Sequence, residues 1–264
     1  FSWDSSFTFS ANKNEIVELV KDYVHPETGK TYNVDKLELK TDEGRGFGKA
    51  KFILKEGGTL GDLYTHADLK RDINGNILID DSGNVTAIDN AGDIKLGSVL
   101  PKANLAWNNS FSYKGINAGF LLTARLGGIV YSATQAYLDL YGVSETSAAA
   151  RDAGGVWVNG RSRVNPQSFY EVVASQSGLP TYYTYSATNL RLQEAHIGYT
   201  IPRRWLGNVC DINVSLVGRN LWMIYCKAPF DPEAVATTNN YYQGIDYFMM
   251  PSTRNIGFNI KINF

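Results

Sequence analysis

Near its end the chain alternates without a miss. Ile256, Phe258, Ile260, Ile262 and Phe264 fall on one side, and Asn255, Gly257, Asn259, Lys261 and Asn263 on the other. Side chains of a strand point alternately to opposite faces, so this is a period-two strand with one apolar and one polar face. The same grammar recurs upstream. Trp3, Ser5, Phe7, Phe9 and Ala11 alternate with Asp4, Ser6, Thr8 and Ser10, while Ala103, Leu105, Trp107, Phe111 and Tyr113 oppose Asn104, Ala106, Asn108, Ser110 and Ser112. Ile116, Ala118, Phe120, Leu122 and Ala124 face away from Asn117, Gly119, Leu121, Thr123 and Arg125, and Lys114-Gly115 is a tight turn that makes a hairpin of these two stretches. In 189–200 the apolar parity switches from Leu190 and Leu192 to Ala195, Ile197 and Tyr199, which predicts a bulge near Gln193. A further strand begins at Asp211 with Ile212, Val214 and Leu216 against Asn213, Ser215 and Arg219.

The pattern therefore predicts strands over about 2–12, 102–113, 115–126, 189–200, 211–223 and 252–264. The intervening 13–101, 127–188 and 227–250 lack the period. The first is glycine-broken, with a short strand predicted at Ala50–Lys55 and a hairpin turn at Asn74-Gly75. The second predicts short helices over Thr134–Tyr141 and after a Ser144 cap. Connections thus alternate long and short along the chain, with short turns at Lys114-Gly115 and Ile201–Cys210. A barrel crossing the outer membrane has short periplasmic turns and long extracellular loops, whereas a soluble sandwich shares the strand period but has no reason to sort its loops by end. Six strands cannot close a membrane barrel, whose smallest forms have about eight. An open edge in lipid would leave backbone groups unpaired at several kcal/mol each. The expectation is an all-β chain supplying the C-terminal strands of a larger transmembrane antiparallel β-barrel. Phe1 begins inside a strand-like pattern with no initiator Met and no signal sequence, which reads as a piece of something longer.

Composition agrees and removes other classes. The chain has 264 residues with Gly 25, Tyr 16, Phe 12 and Trp 5, a turn- and aromatic-rich mixture typical of β proteins. Its 25 Lys plus Arg against 26 Asp plus Glu give a net charge of −1, with no basic excess to recommend nucleic acid. No apolar run of about 18 residues exists for a transmembrane helix. Tyr113, Tyr199, Trp205, Trp222, Tyr225, Tyr247 and Phe248 gather near strand ends, as in interfacial girdles. Cys210 and Cys226 at opposite ends of one strand lie roughly 50 Å apart at about 3.3 Å per residue, too far for a disulfide or a shared metal.

Catalytic and metal chemistry find little support. His25, His66 and His196 are isolated, and no Gly-x-Ser-x-Gly elbow exists. Asp72, Asn74 and Asn76 resemble the start of a calcium loop, but Ile77 holds the sixth position where glycine is needed, so a hairpin turn is the better reading. The expectation is no metal, no cofactor and no enzyme activity. Arg125, Arg191 and Arg219 share the polar parity of their strands and would point into a barrel lumen, since a charge facing lipid costs about 2–4 kcal/mol at mid-membrane. Lining the lumen or touching a plug is their default role, and gripping substrate the alternative. Trp157, Tyr182, Tyr183 and Tyr185 of the second long loop are candidates for stacking on a sugar or a lid, against plain self-packing of the loop.

Asn189-Leu-Arg-Leu-Gln-Glu-Ala-His-Ile-Gly-Tyr-Thr-Ile-Pro202 resembles the LRL…LGYTLP signature of SusC/RagA-type TonB-dependent transporters. Val217-Gly-Arg-Asn-Leu-Trp222 is similar to their GRNLF strand, and Ala228-Pro-Phe-Asp-Pro-Glu233, Pro251-Ser-Thr-Arg254 and Leu96-Gly97 with Pro101-Lys102 also match. The resemblance implies a barrel of about 22 strands in the outer membrane of a Gram-negative bacterium. It implies active import of oligosaccharides or peptides, a SusD-like lipoprotein lid, and coupling to the TonB complex through a plug and Ton box that this chain lacks. It also makes the terminal Ile256, Phe258, Ile260, Ile262 and Phe264 a lipid-facing assembly signal. Two other readings stay open: a passive porin, and a secreted β-sandwich that binds glycans through its tyrosines.

Overall fold

The computed structural model describes residues 1–39, 48–236 and 243–263. Phe264 and the glycines Gly44 and Gly46 lie outside the described residues. Six long strands form one antiparallel sheet in simple up-and-down order: β1 (Ser2–Ala11), β2 (Ala103–Tyr113), β3 (Ile116–Leu126), β4 (Asn189–Ile201), β5 (Asp211–Cys226) and β6 (Asn255–Asn263). Strands of 9 to 16 residues are of membrane-crossing length. Lys114 and Gly115 both take positive φ (47° and 89°), the paired left-handed geometry that matches strand twist in a two-residue hairpin. At the bulge, Leu121 and Leu122 of β3 oppose Glu194 and Leu192, which leaves Gln193 between them without a partner and restores the apolar parity on the far side. β5 runs three residues past its expected end at 223, because Tyr225 and Cys226 still pair with Leu190 and Asn189 of β4.

The register sorts the two faces row by row. One row crosses all six strands as Trp3, Phe111, Ala118, Ile197, Leu216 and Phe258; the next reads Ser2, Ser112, Asn117, Gly198, Ser215 and Asn259. Every member of the first is apolar and every member of the second is polar or glycine. Among the described residues nothing covers the apolar face: Ile256 is 69% exposed and Phe258 78%. Two cross-strand partners, Ser5 and Asn109, break the apolar pattern. Asn109 shares the parity of Trp107 and Phe111, is buried under the aromatics, and accepts a hydrogen bond from the Trp3 indole (3.0 Å).

The hydrophobic core lies elsewhere, in the long connections. Segment 13–101 contains a four-stranded sheet of Lys36–Glu38, Ala50–Lys55, Asp62–Thr65 and Ile94–Ser98 rather than irregular chain. Ala50–Lys55 is the short strand the sequence predicts, whereas Asp62–Thr65, buried on both faces, carries no period-two signal. Segment 127–188 supplies α1 (Ala133–Leu140), α2 (Glu145–Asp152) and α3 (Pro166–Val173). Ser132 caps α1, Ser144 caps α2 and Asn165 caps α3, each accepting from a first-turn N–H. The strand Ile129–Ser132 pairs with Thr184–Ser186 and, in parallel, with Ile245–Asp246 of the third connection. Phe52, Leu63, Val99, Tyr131, Phe169, Leu179, Tyr183 and Ile245 thus belong to one core drawn from all three connections. Among the described residues no helix is long and apolar enough to cross a membrane.

Candidate functional site

The polar face is the surface available for solute. Asn117 and Asn213 both donate to the Thr200 hydroxyl (3.1 and 2.9 Å), tying β3, β4 and β5 together near the short turns. Glu194 and Arg219 stand opposite one another and pair at 3.0 Å, with Arg219 well exposed. His196 occupies the same face, beside Gly119.

At the opposite end of these strands, three separate segments converge on Arg191, which is 3% exposed. Its guanidinium donates to Asp231 (2.7 Å), Asn220 (2.8 Å) and Ser252 (3.4 Å), with Glu233 at 3.5 Å. The Ser252 hydroxyl and the Glu233 backbone N–H donate to Asp231, and Asn189 donates to Glu233 (3.2 Å). Asn220 reaches the cluster because its backbone is left-handed (φ 52°) at an irregularity of β5. Burial pushes the Asp231 carboxyl up, but hydrogen bonds from Arg191 and Ser252 outweigh it and hold the carboxyl below the usual carboxylate range. Beside this knot is a cleft of about 350 Å³, lined by Asn220, Met223, Phe230, Asp231, Ser252 and Arg254.

The other candidates divide by their surroundings. Arg125 donates to the Val99 carbonyl (2.8 Å) and so ties the first connection to β3. Tyr183 is buried and donates to Asp139 (3.0 Å); burial, then the Asp139 charge, push its hydroxyl far above the usual range. Tyr185 sits edge-on to Phe230 and is pushed up to about 12, first by burial and then by Asp139. Tyr182 packs edge-on to Phe169. Trp157 remains exposed. The Asp72 carboxylate accepts the N–H groups of Asn74 and Asn76 and the Asn76 amide, which closes the hairpin turn. Among the described residues no cluster of three His, Cys, Asp or Glu side chains is placed to hold a metal.

Sequence reasoning missed two features. One is the Arg191 knot, although each of its members lies in a segment with a family signature: Arg191, Asn220, Asp231 with Glu233, and Ser252. The other is Asp139, a buried carboxylate at the hub of the second connection. It accepts from Gln135 (3.1 Å), Thr146 (3.2 Å), Tyr183 and the Ser144 cap. Hydrogen bonds to a buried charge contribute about 1.5–3 kcal/mol. Asp139→Ala should therefore destabilise the connection assembly by about 3 kcal/mol and Tyr183→Phe by about half that. Protease protection of 127–188 is the direct measure; equal protection in both variants and wild type would refute the hub.

An open antiparallel sheet of membrane-length strands, apolar on its uncovered face and polar on the other, defines a segment of a transmembrane β-barrel. No family model matches the chain. TonB-dependent receptor P3 of Formosa agariphila is 25% identical over 288 residues, covering 99% of this chain and 27% of that protein. TonB-dependent receptor P26 of the same organism is 25% identical over 289 residues, again with 27% of its length covered. Among solved structures, the RagAB peptide importer in its closed-closed state superposes with a TM-score of 0.57 at 16% identity, covering 99% of this chain and 27% of that one. A second structure of the RagAB peptide transporter gives 0.58 at 16% identity. The chain resembles SusC/RagA-type TonB-dependent transporters in sequence and in fold, and it spans about a quarter of the length of the relatives it matches.

Proposed function

We propose that this chain is the C-terminal part of the barrel of a TonB-dependent active importer in the outer membrane of a Gram-negative bacterium. The reading rests on one observation above the rest: one row across all six strands is entirely apolar, the adjacent row is entirely polar or glycine, and the apolar row is uncovered among the described residues. Bare aromatic rows are unfavourable in water and favourable in hydrocarbon. The outer edges of β1 and β6 pair with nothing among the described residues, so they are completed by other strands of the same barrel, at a gain of several kcal/mol per satisfied group. Lipid meets the apolar rows, and cargo passes the polar ones. Arg219 is the arginine of the three with exposed donors for cargo, while Arg125 and Arg191 fix the connections to the rim. The cargo is an oligosaccharide or peptide, with a SusD-like lipoprotein over the folded outer connections. The reading assigns the chain no catalytic step.

The test is uptake in the native host, on defined oligosaccharide and peptide mixtures, with and without a working TonB complex. Loss of uptake without TonB is expected. Uptake that persists would identify a passive porin instead.

A further inference from the structure

Within the second connection, the hairpin of Val156–Val158 and Ser162–Val164 has two unlike faces. Val158 and Val164 are buried in the connection core. Trp157 and Arg163 are direct cross-strand partners on the opposite face, with the guanidinium 4.5 Å from the indole centroid. Trp157 is 56% exposed, so the indole face not covered by Arg163 is open. Exposed Gly154 adds no side chain beside the pair, where a Cβ would come 3.6 Å from the Arg163 guanidinium. Arg161 projects from the tip, and neither it nor Arg163 takes part in an ion pair among the described residues. The nearest acid along the chain, Asp152, is exposed at the end of α2 and likewise unpaired.

The hairpin is also held rigid. Asn159 and Gly160 both take positive φ (54° and 64°) in its turn. The Asn159 side chain then clamps Ile77 of the first connection, accepting from its N–H (2.9 Å) and donating to its carbonyl (2.8 Å). Three bare groups on a fixed frame pay little ordering entropy when a ligand arrives.

We propose that this hairpin is a capture site for anionic oligosaccharides. A sugar ring stacks its C–H face on the Trp157 indole. Its carboxylate or sulfate takes the planar guanidinium fork of Arg163, which stacking on the ring holds in place, and Arg161 supplies the second positive charge. The inference deepens the import reading by naming a cargo class, but binding to the hairpin requires neither TonB nor transport.

The experiment therefore uses the full-length transporter purified in detergent, titrated calorimetrically with hexagalacturonate, maltohexaose and hexaglutamate. Hexagalacturonate should bind, and its affinity should fall about tenfold or more in Trp157→Ala and in Arg163→Gln. In Arg163→Lys, which keeps the charge but loses the fork, the fall should be about threefold. Raising the salt from low to about 0.5 M should weaken the complex several-fold. Trp157→Phe, which keeps a flat ring, should retain most of the affinity and so separates stacking from misfolding. Equal binding of maltohexaose would overturn the charge requirement, and equal binding of hexaglutamate would make the site a peptide site. Unchanged affinity in the variants, or no binding of hexagalacturonate, would remove the proposal. Failure of uptake without TonB bears on the importer reading alone.

Discussion

Arg191→Met is expected to release the outer ends of β4 and β5 from the third connection, at a cost of about 3–5 kcal/mol. Methionine nearly matches arginine in length, so packing changes little and the loss is electrostatic. Asp231 would remain buried with only Ser252 and a backbone N–H as donors, and a charge stripped of its partner in that setting is what makes broken buried pairs expensive. Arg191→Lys should recover only part of the loss, since a single ammonium cannot reach Asp231, Asn220 and Ser252 in three directions. Trypsin cleavage within 227–236 and the temperature at which the folded barrel loses its compact mobility on gels would both report the change. Acid should imitate it. The folded Asp231 carboxyl titrates below its unfolded value, so its contribution is complete above about pH 4 and is lost as pH falls through the lower folded value. Asp231→Asn should flatten that acid limb, and an unchanged limb would show that the knot contributes nothing.

The sheet was legible in the sequence because its rule is local. Alternation of Ile256, Phe258, Ile260 and Ile262 needs no knowledge of neighbours, and even the bulge at Gln193 is visible as a parity switch. The first connection was legible only in part: the strand at Ala50–Lys55 and the turn at Asn74-Gly75 carry local marks, but strands such as Asp62–Thr65, buried throughout, owe their place to partners far along the chain. The helix α3 did carry a readable mark, Asn165 followed by Pro166 at the first helical position, which the reading passed over. The Arg191 knot was hidden for a different reason. Its members are 29 to 61 residues from Arg191, and parity alone says that Arg191 faces the lumen, not that Asp231 comes to meet it. Asn109 was hidden inside a correct pattern: an isolated polar residue among the apolar positions of one strand is ordinary in sequence, and only the Trp3 indole bonded to it shows how it is accommodated.

Phe258→Arg should block assembly of the barrel, whereas Asn259→Arg, one residue away, should be nearly silent. The pair shares a strand, a local sequence and an edge position, so only the face differs. Phe258 lies in the row of Trp3, Phe111, Ala118, Ile197 and Leu216; an arginine there meets hydrocarbon at about 2 kcal/mol or more, besides the lost apolar contact with lipid. Asn259 lies in the row of Ser215 and Gly198, and an arginine there enters a wet, polar surface. The comparison is decisive because water reverses its sign. Phe258 is 78% exposed, and in a secreted sandwich an exposed phenylalanine could become arginine at no cost or with a gain in solubility. Folded yield in outer-membrane fractions, read for both variants side by side, separates the two environments: equal yields would mean that the bare aromatic rows face water.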